Sequence, residues 1–222
     1  LHRLVEADIE VNTIYFDEAH NSVQRNFFPA TEFFSSDSDR CYFFTATPKH
    51  SLSVFKPGMN DPEVYGQVIC NVPAPQLVKE GYILPPKVVV HQLPQGDFKL
   101  SDDKNLLNTI DANSLNKILI AARSTKQILR MVSQSDFCQQ LHERGYNWMY
   151  ITSKTGAIIN GKKVSREEFF KTLNTWGQDD TRFVVMHHSI LSEGINVKGL
   201  EAVLFMRNMN YIGISQSIGR VI

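Results

Sequence analysis

Cysteine is scarce in this sequence, long apolar runs are missing, and the 23 basic residues balance the 23 acidic ones to a net charge of zero. Each lack removes a class of protein. Cys41, Cys70 and Cys138 are odd in number, far apart and never spaced as Cys-x-x-Cys. That spacing argues against a disulfide framework or a cysteine zinc site and for a reducing, intracellular home, cytoplasmic or nuclear. His20, His91, His142 and the pair His187-His188 make no His-x-x-x-His pair, so a helical metalloenzyme site is not expected. Without a bilayer-length apolar run, and without a charged-then-apolar opening, the chain is expected to be soluble and not secreted. No short internal repeat or low-complexity tract stands out.

What is present suits a globular fold. A chain of 222 residues, 42% hydrophobic and 21% charged, can bury one large core or two modest ones. A net charge of zero argues against a strongly basic binder of nucleic acid. Its distribution is uneven: residues 1–85 hold 6 Lys/Arg against 11 Asp/Glu, and residues 86–222 hold 17 against 12. The second half is the better candidate to face phosphates, although uneven surface charge is common in any protein.

Ile9 to Phe16 is rich in β-branched and aromatic residues and reads as a strand running into Asp17-Glu18. Cys41 to Phe44 is a second short strand, ended by Thr-Ala-Thr-Pro, and Asn21 to Arg40 between them is long enough for a helical crossover in a parallel sheet. Prolines from Pro73 to Pro94 discourage helix and place a domain boundary near Leu84 to Gln95. Beyond it, the pattern predicts a helical segment around Leu106 to Arg123, a strand at Ile128 to Val132, a helix at Ser135 to Arg144 closed by Gly145, and a strand at Trp148 to Thr152. A helix at Ser165 to Trp176 closed by Gly177 follows, opened by a Ser165/Glu168 capping box, and then strands at Phe183 to Met186 and Ala202 to Met206. This alternation is that of an α/β protein with a parallel sheet, whose ligands bind at the carboxyl ends of the strands.

Two groups of residues carry chemistry at such an edge. Asp17-Glu18-Ala19-His20 follows the first strand, where Asp17 can hold magnesium beside a nucleotide's phosphates and Glu18 can orient or deprotonate an attacking water. Thr45-Ala46-Thr47 follows the next strand. Its hydroxyls can join His20 in a hydrogen-bonded relay at the same edge. Taken alone, either string also fits an ordinary solvated turn. Lys162-Lys163 with Arg166 fits a solvated basic turn better than a phosphate contact, and Trp148 and Trp176 fit core packing better than base stacking.

Asp-Glu-Ala-His followed after about two dozen residues by Thr-Ala-Thr-Pro resembles motifs II and III of superfamily 2 helicases. Ser189-Ile190-Leu191-Ser192-Glu193-Gly194-Ile195-Asn196-Val197 stands where that family has its fifth motif, and Gln216-Ser217-Ile218-Gly219-Arg220 where it has its sixth. The Thr-Ala-Thr-Pro form and the stretch Leu77 to Pro86 resemble the branch of restriction-enzyme, excision-repair and phage-type DNA translocases. The resemblance implies two RecA-like, P-loop NTPase-type parallel-sheet lobes: residues 1–85 as the carboxyl part of the first, 86–113 as a linker, and 114–222 as the second.

It also implies ATP and Mg2+ as cofactors, Gly194, Asn196, Gln216 and Arg220 as nucleotide-facing residues, and His20, Thr45 and Thr47 as the coupling set. Asn196 stands where aspartate is common, and His188 where threonine is. No Gly-x-x-x-x-Gly-Lys-Ser/Thr occurs, and the sixth motif's usual second arginine is not reached before Ile222. The first lobe is thus expected to be incomplete at its amino end, and the segment by itself not to turn ATP over. The implied function is ATP-dependent movement along or unwinding of nucleic acid, with DNA favoured. An RNA helicase of the same superfamily and a non-hydrolysing nucleic-acid-binding module are the alternatives.

Overall fold

A computed structural model describes residues 6–7, 10–38, 40–53, 55–85, 87–90, 101–188 and 199–207. The chain divides into two compact units, Leu1–Leu77 and Val78–Ile222.

In the first unit, strand β1 (Thr13–Phe16) lies parallel to β2 (Arg40–Phe43), with Phe16 opposite Phe43. Helix α1 (Phe28–Asp37) makes the crossover between them and carries a proline in its first turn, where the missing N–H is harmless. Thr31 and Phe34 are its buried positions, three apart and therefore on one face. Two short helices follow, α2 (Pro62–Tyr65) and α3 (Ala74–Lys79). The latter forms although prolines discourage helix after Pro73, because Pro75 occupies the first turn and costs no ladder hydrogen bond.

The second unit is built on a six-stranded sheet in the order β6-β5-β4-β7-β3-β8. Strands β3 (Lys117–Ala121), β4 (Asn147–Thr152), β7 (Phe183–His187) and β8 (Ala202–Phe205) run parallel. A hairpin of β5 (Gly156–Ile159) and β6 (Lys162–Val164) adds an antiparallel edge. Helices α4 (Asp102–Asn113), α5 (Thr125–Ser133) and α6 (Phe137–Glu143) pack one face through Leu106, Ile110, Ile128, Phe137 and Leu141 against Ile118, Ile120, Val184 and Met186. Helix α7 (Arg166–Gln178) covers the other face, with Phe169 and Leu173 on Leu119, Met149 and Val185. Alternate residues of β3 and β7 therefore feed two cores, the mark of a sheet buried on both sides. Helix α4, inside the stretch read as a linker, contributes to the first of these cores.

Several expected elements need correction. The helix placed at Leu106 to Arg123 ends at Asn113, where Ser114 turns left-handed, and the apolar run after it is the central strand β3. Ile128 to Val132, read as a strand, lies in α5. Ser124 caps that helix by accepting from Gln127 N, and the buried Gln127, Ile128 and Met131 follow helical spacing. Gly177 is inside α7 rather than beyond its end.

The β5–β6 hairpin was not anticipated. Its turn is Asn160-Gly161, with φ of 45° and 81°, the positive pair that a right-twisted two-residue hairpin requires. Lys162 and Lys163 are exposed on the edge strand, where charge discourages further strand pairing. Trp148 and Trp176 are half-buried against the two cores, in keeping with a packing role.

Candidate functional site

The site residues of the first unit follow from the pairing of its two strands. Phe44 N donates to Phe16 O at 2.9 Å and Ala19 N donates to Phe44 O at 2.9 Å, so the chain ends after β1 and β2 stay together beyond the ladder. Asp17 is exposed at this carboxyl edge, and its Oδ1 accepts the Glu18 N–H at 2.8 Å. Glu18 is left-handed, at φ 47° and ψ 46°, and begins a single 3₁₀ turn, Ala19–Asn21. A non-glycine residue there costs about 1 kcal/mol, so its surroundings must hold it.

That turn drives His20 inward, to 2% exposure, directly beneath the second loop. Its Nδ1 lies 3.0 Å from Thr45 Oγ1, 3.4 Å from Thr47 Oγ1 and 3.4 Å from Glu18 Oε2. Thr45 Oγ1 also accepts from Thr47 N at 3.1 Å, which fixes the hydroxyl's position. One ring nitrogen thus faces a carboxylate and two hydroxyls. Carrying a proton, it donates to Glu18 or Thr45; without one, it accepts from a threonine hydroxyl. The arrangement can pass a change in hydrogen bonding at Glu18 to the Thr45 loop. Sequence reasoning brought these five residues to one edge, and Asp17, Glu18, His20, Thr45 and Thr47 do meet there.

Two further residues belong to this turn. Ser22 Oγ donates to Ala19 O at 2.6 Å and lies 2.9 Å from the Tyr65 hydroxyl, so α2 is tied to the turn. Nothing local in the sequence announces that contact, because its partners are 43 residues apart. Among the described residues no group of three or more His, Cys, Asp or Glu could hold a metal by protein ligands alone. An exposed carboxylate at a strand end still fits magnesium, which takes one or two carboxylates and completes its shell with phosphates and water.

Gly194, Asn196, Gln216 and Arg220 lie outside the described residues. His187 ends β7, buried at 2% exposure, and His188 beside it is half-buried.

The mostly parallel six-stranded sheet of the larger unit, with helices on both faces, defines a RecA-like α/β fold. Among solved structures the chain is similar to the ATP-dependent Type ISP restriction-modification enzyme LlaBIII bound to DNA, with a TM-score of 0.67 and 18% identity over 99% of this chain. The chain spans 18% of the length of that protein, and at this identity the likeness is one of fold. No family model and no curated protein matches the sequence.

Proposed function

We propose that this chain is part of the ATP-coupled motor of a superfamily 2 helicase or translocase that acts on DNA. The observation that carries the proposal is the cluster at the β1 and β2 ends: an acid pair on one loop, joined through buried His20 to the hydroxyls of the next. Asp17 would hold magnesium on the nucleotide, and that ion would neutralise phosphate charge as it develops. Glu18, half-exposed and hydrogen-bonded within the cluster, orients the attacking water and takes its proton. His20 keeps Glu18 in register with Thr45 and Thr47, so that the presence of the terminal phosphate is felt at the second loop. The motif resemblance adds Gly194, Asn196, Gln216 and Arg220 as residues that would face a nucleotide, Arg220 through a guanidinium suited to phosphate.

Support for DNA as the track comes from the fold's likeness to an ATP-dependent enzyme bound to DNA. Backbone contacts of such a motor position the strand without reading its sequence. The test is ATP turnover by the whole protein with magnesium, measured with no nucleic acid, with DNA and with RNA. The motor reading requires magnesium-dependent turnover stimulated by DNA. Stimulation by RNA alone would replace DNA by RNA as the track, and no turnover under any condition would leave a binding module.

A further inference from the structure

We propose that Tyr65 is a positioning residue of the acidic site, holding the 3₁₀ turn that carries Glu18 and His20 through a hydrogen-bonded chain from its hydroxyl to Ser22 Oγ to Ala19 O. A turn of three residues has little stability of its own, and this one starts from a left-handed glutamate. What fixes it is the Ala19 peptide: its N–H is given to Phe44 O, and its carbonyl accepts twice, from Ser22 N at 2.9 Å and from Ser22 Oγ at 2.6 Å.

The direction of the chain follows from counting hydrogens. Ser22 has one hydroxyl proton and directs it at a carbonyl, which can only accept. The 2.9 Å contact with Tyr65 must then be made by the phenol donating to Ser22 Oγ. Ser22 is buried at 5% exposure, so losing that donor leaves a buried oxygen short of a partner. The Tyr65 ring is itself set, packed 4.8 Å from the Phe43 ring at the end of β2. Burial pushes the Tyr65 phenol up from its ordinary range, opposed by the Ser22 hydrogen bond and aided least by the Asp61 carboxylate.

Tyr65 sits on α2, beyond the Thr45 loop, whereas Ser22 and Ala19 follow the acid pair. The chain therefore ties the segment after the second loop to the placement of Glu18. As a mechanism it rests on the ATPase reading above; as a statement about the turn it does not.

The test uses Tyr65→Phe in the whole protein, which deletes the hydroxyl and keeps the ring, with Ser22→Ala as the second variant. Amide hydrogen exchange is read on the peptide covering Ala19 to Gln24, and kcat and KM for ATP are read alongside. Each variant should speed exchange there by about tenfold without changing peptides of α1 or β2. Each should also lower kcat by about tenfold with KM for ATP within about twofold, and the double variant should lose little more than either single one. Unchanged exchange in that peptide overturns the proposal even if ATP is hydrolysed normally, and so does unchanged kcat in a protein that hydrolyses ATP. If the wild-type protein hydrolyses none, the ATPase reading fails and the exchange result alone decides the role of Tyr65.

Discussion

Thr45 Oγ1 and His20 Nδ1 stand 3.0 Å apart, joining the loop after β2 to the loop after β1 through a ring buried at 2% exposure. If this contact carries the state of the nucleotide to the DNA-facing part of the motor, its loss uncouples the two without destroying the acid pair. Thr45→Val keeps the side chain's shape and removes the hydroxyl. Stimulation of ATP turnover by DNA is expected to fall by about fivefold or more, the scale of a coupling free energy of ~1 kcal/mol upward, while turnover without DNA stays within about twofold. Paired ATPase assays with and without DNA check it.

Gly199 lies against the backbone of Gly177 in the second unit. Gly199 has φ of 78°, and a Cβ there would collide with the carbonyl of Gly177 in α7. Gly199→Ala must therefore strain its own backbone and push α7 from the turn before β8. A loss of about 2 kcal/mol or more is expected, read as a lower denaturant midpoint.

Phe169 is fully buried on the α7 face of the sheet, in contact with Phe170 at 5.4 Å between ring centroids. Phe169→Ala opens a cavity that the surrounding β-strands cannot collapse to fill. It should cost about 3–5 kcal/mol, measured by chemical unfolding.

The cysteines should separate by reactivity. Burial pushes the Cys138 thiol up from 9.0 to about 12 and also raises Cys41, whereas Cys70 is exposed. Only the thiolate reacts, so at pH 8 labelling of the native protein should modify Cys70 first and Cys138 last. The sign of the pH dependence follows. The folded state holds the Cys138 proton more tightly than the unfolded chain, so this stabilisation is present below pH 9 and is lost as pH rises towards 12. Mass spectrometry of labelled peptides across this range reads the order.

Much of the fold was legible because strands that end in polar residues announce themselves. β1 and β2 are apolar runs stopped by Asp17-Glu18 and by Thr45, and the acids and hydroxyls fell at one edge as the parallel pairing requires. β3 resembles a helix in sequence for a physical reason. Ile118 to Ala122 is buried on both faces, so it shows no alternation, and periodicity alone cannot separate it from a helix.

At α5 the β-branched Ile128 and Val132 suggest a strand, but Ser124 caps a helix there and Gln127, Ile128 and Met131 share its buried face. Asn160-Gly161 is by itself a hairpin signal, since both positions adopt the positive φ that such a turn requires. The Tyr65 to Ser22 contact carried none, because tertiary packing alone brings α2 to the turn.

Glu18 bears the central chemical claim, and Glu18→Gln tests it most directly because the amide keeps the shape and loses the base. Measured in the whole protein with magnesium and DNA, ATP binding should stay within about twofold while turnover falls by about 100-fold or more. Turnover that survives the substitution would take Glu18 out of the chemistry, and the motor reading of this site with it.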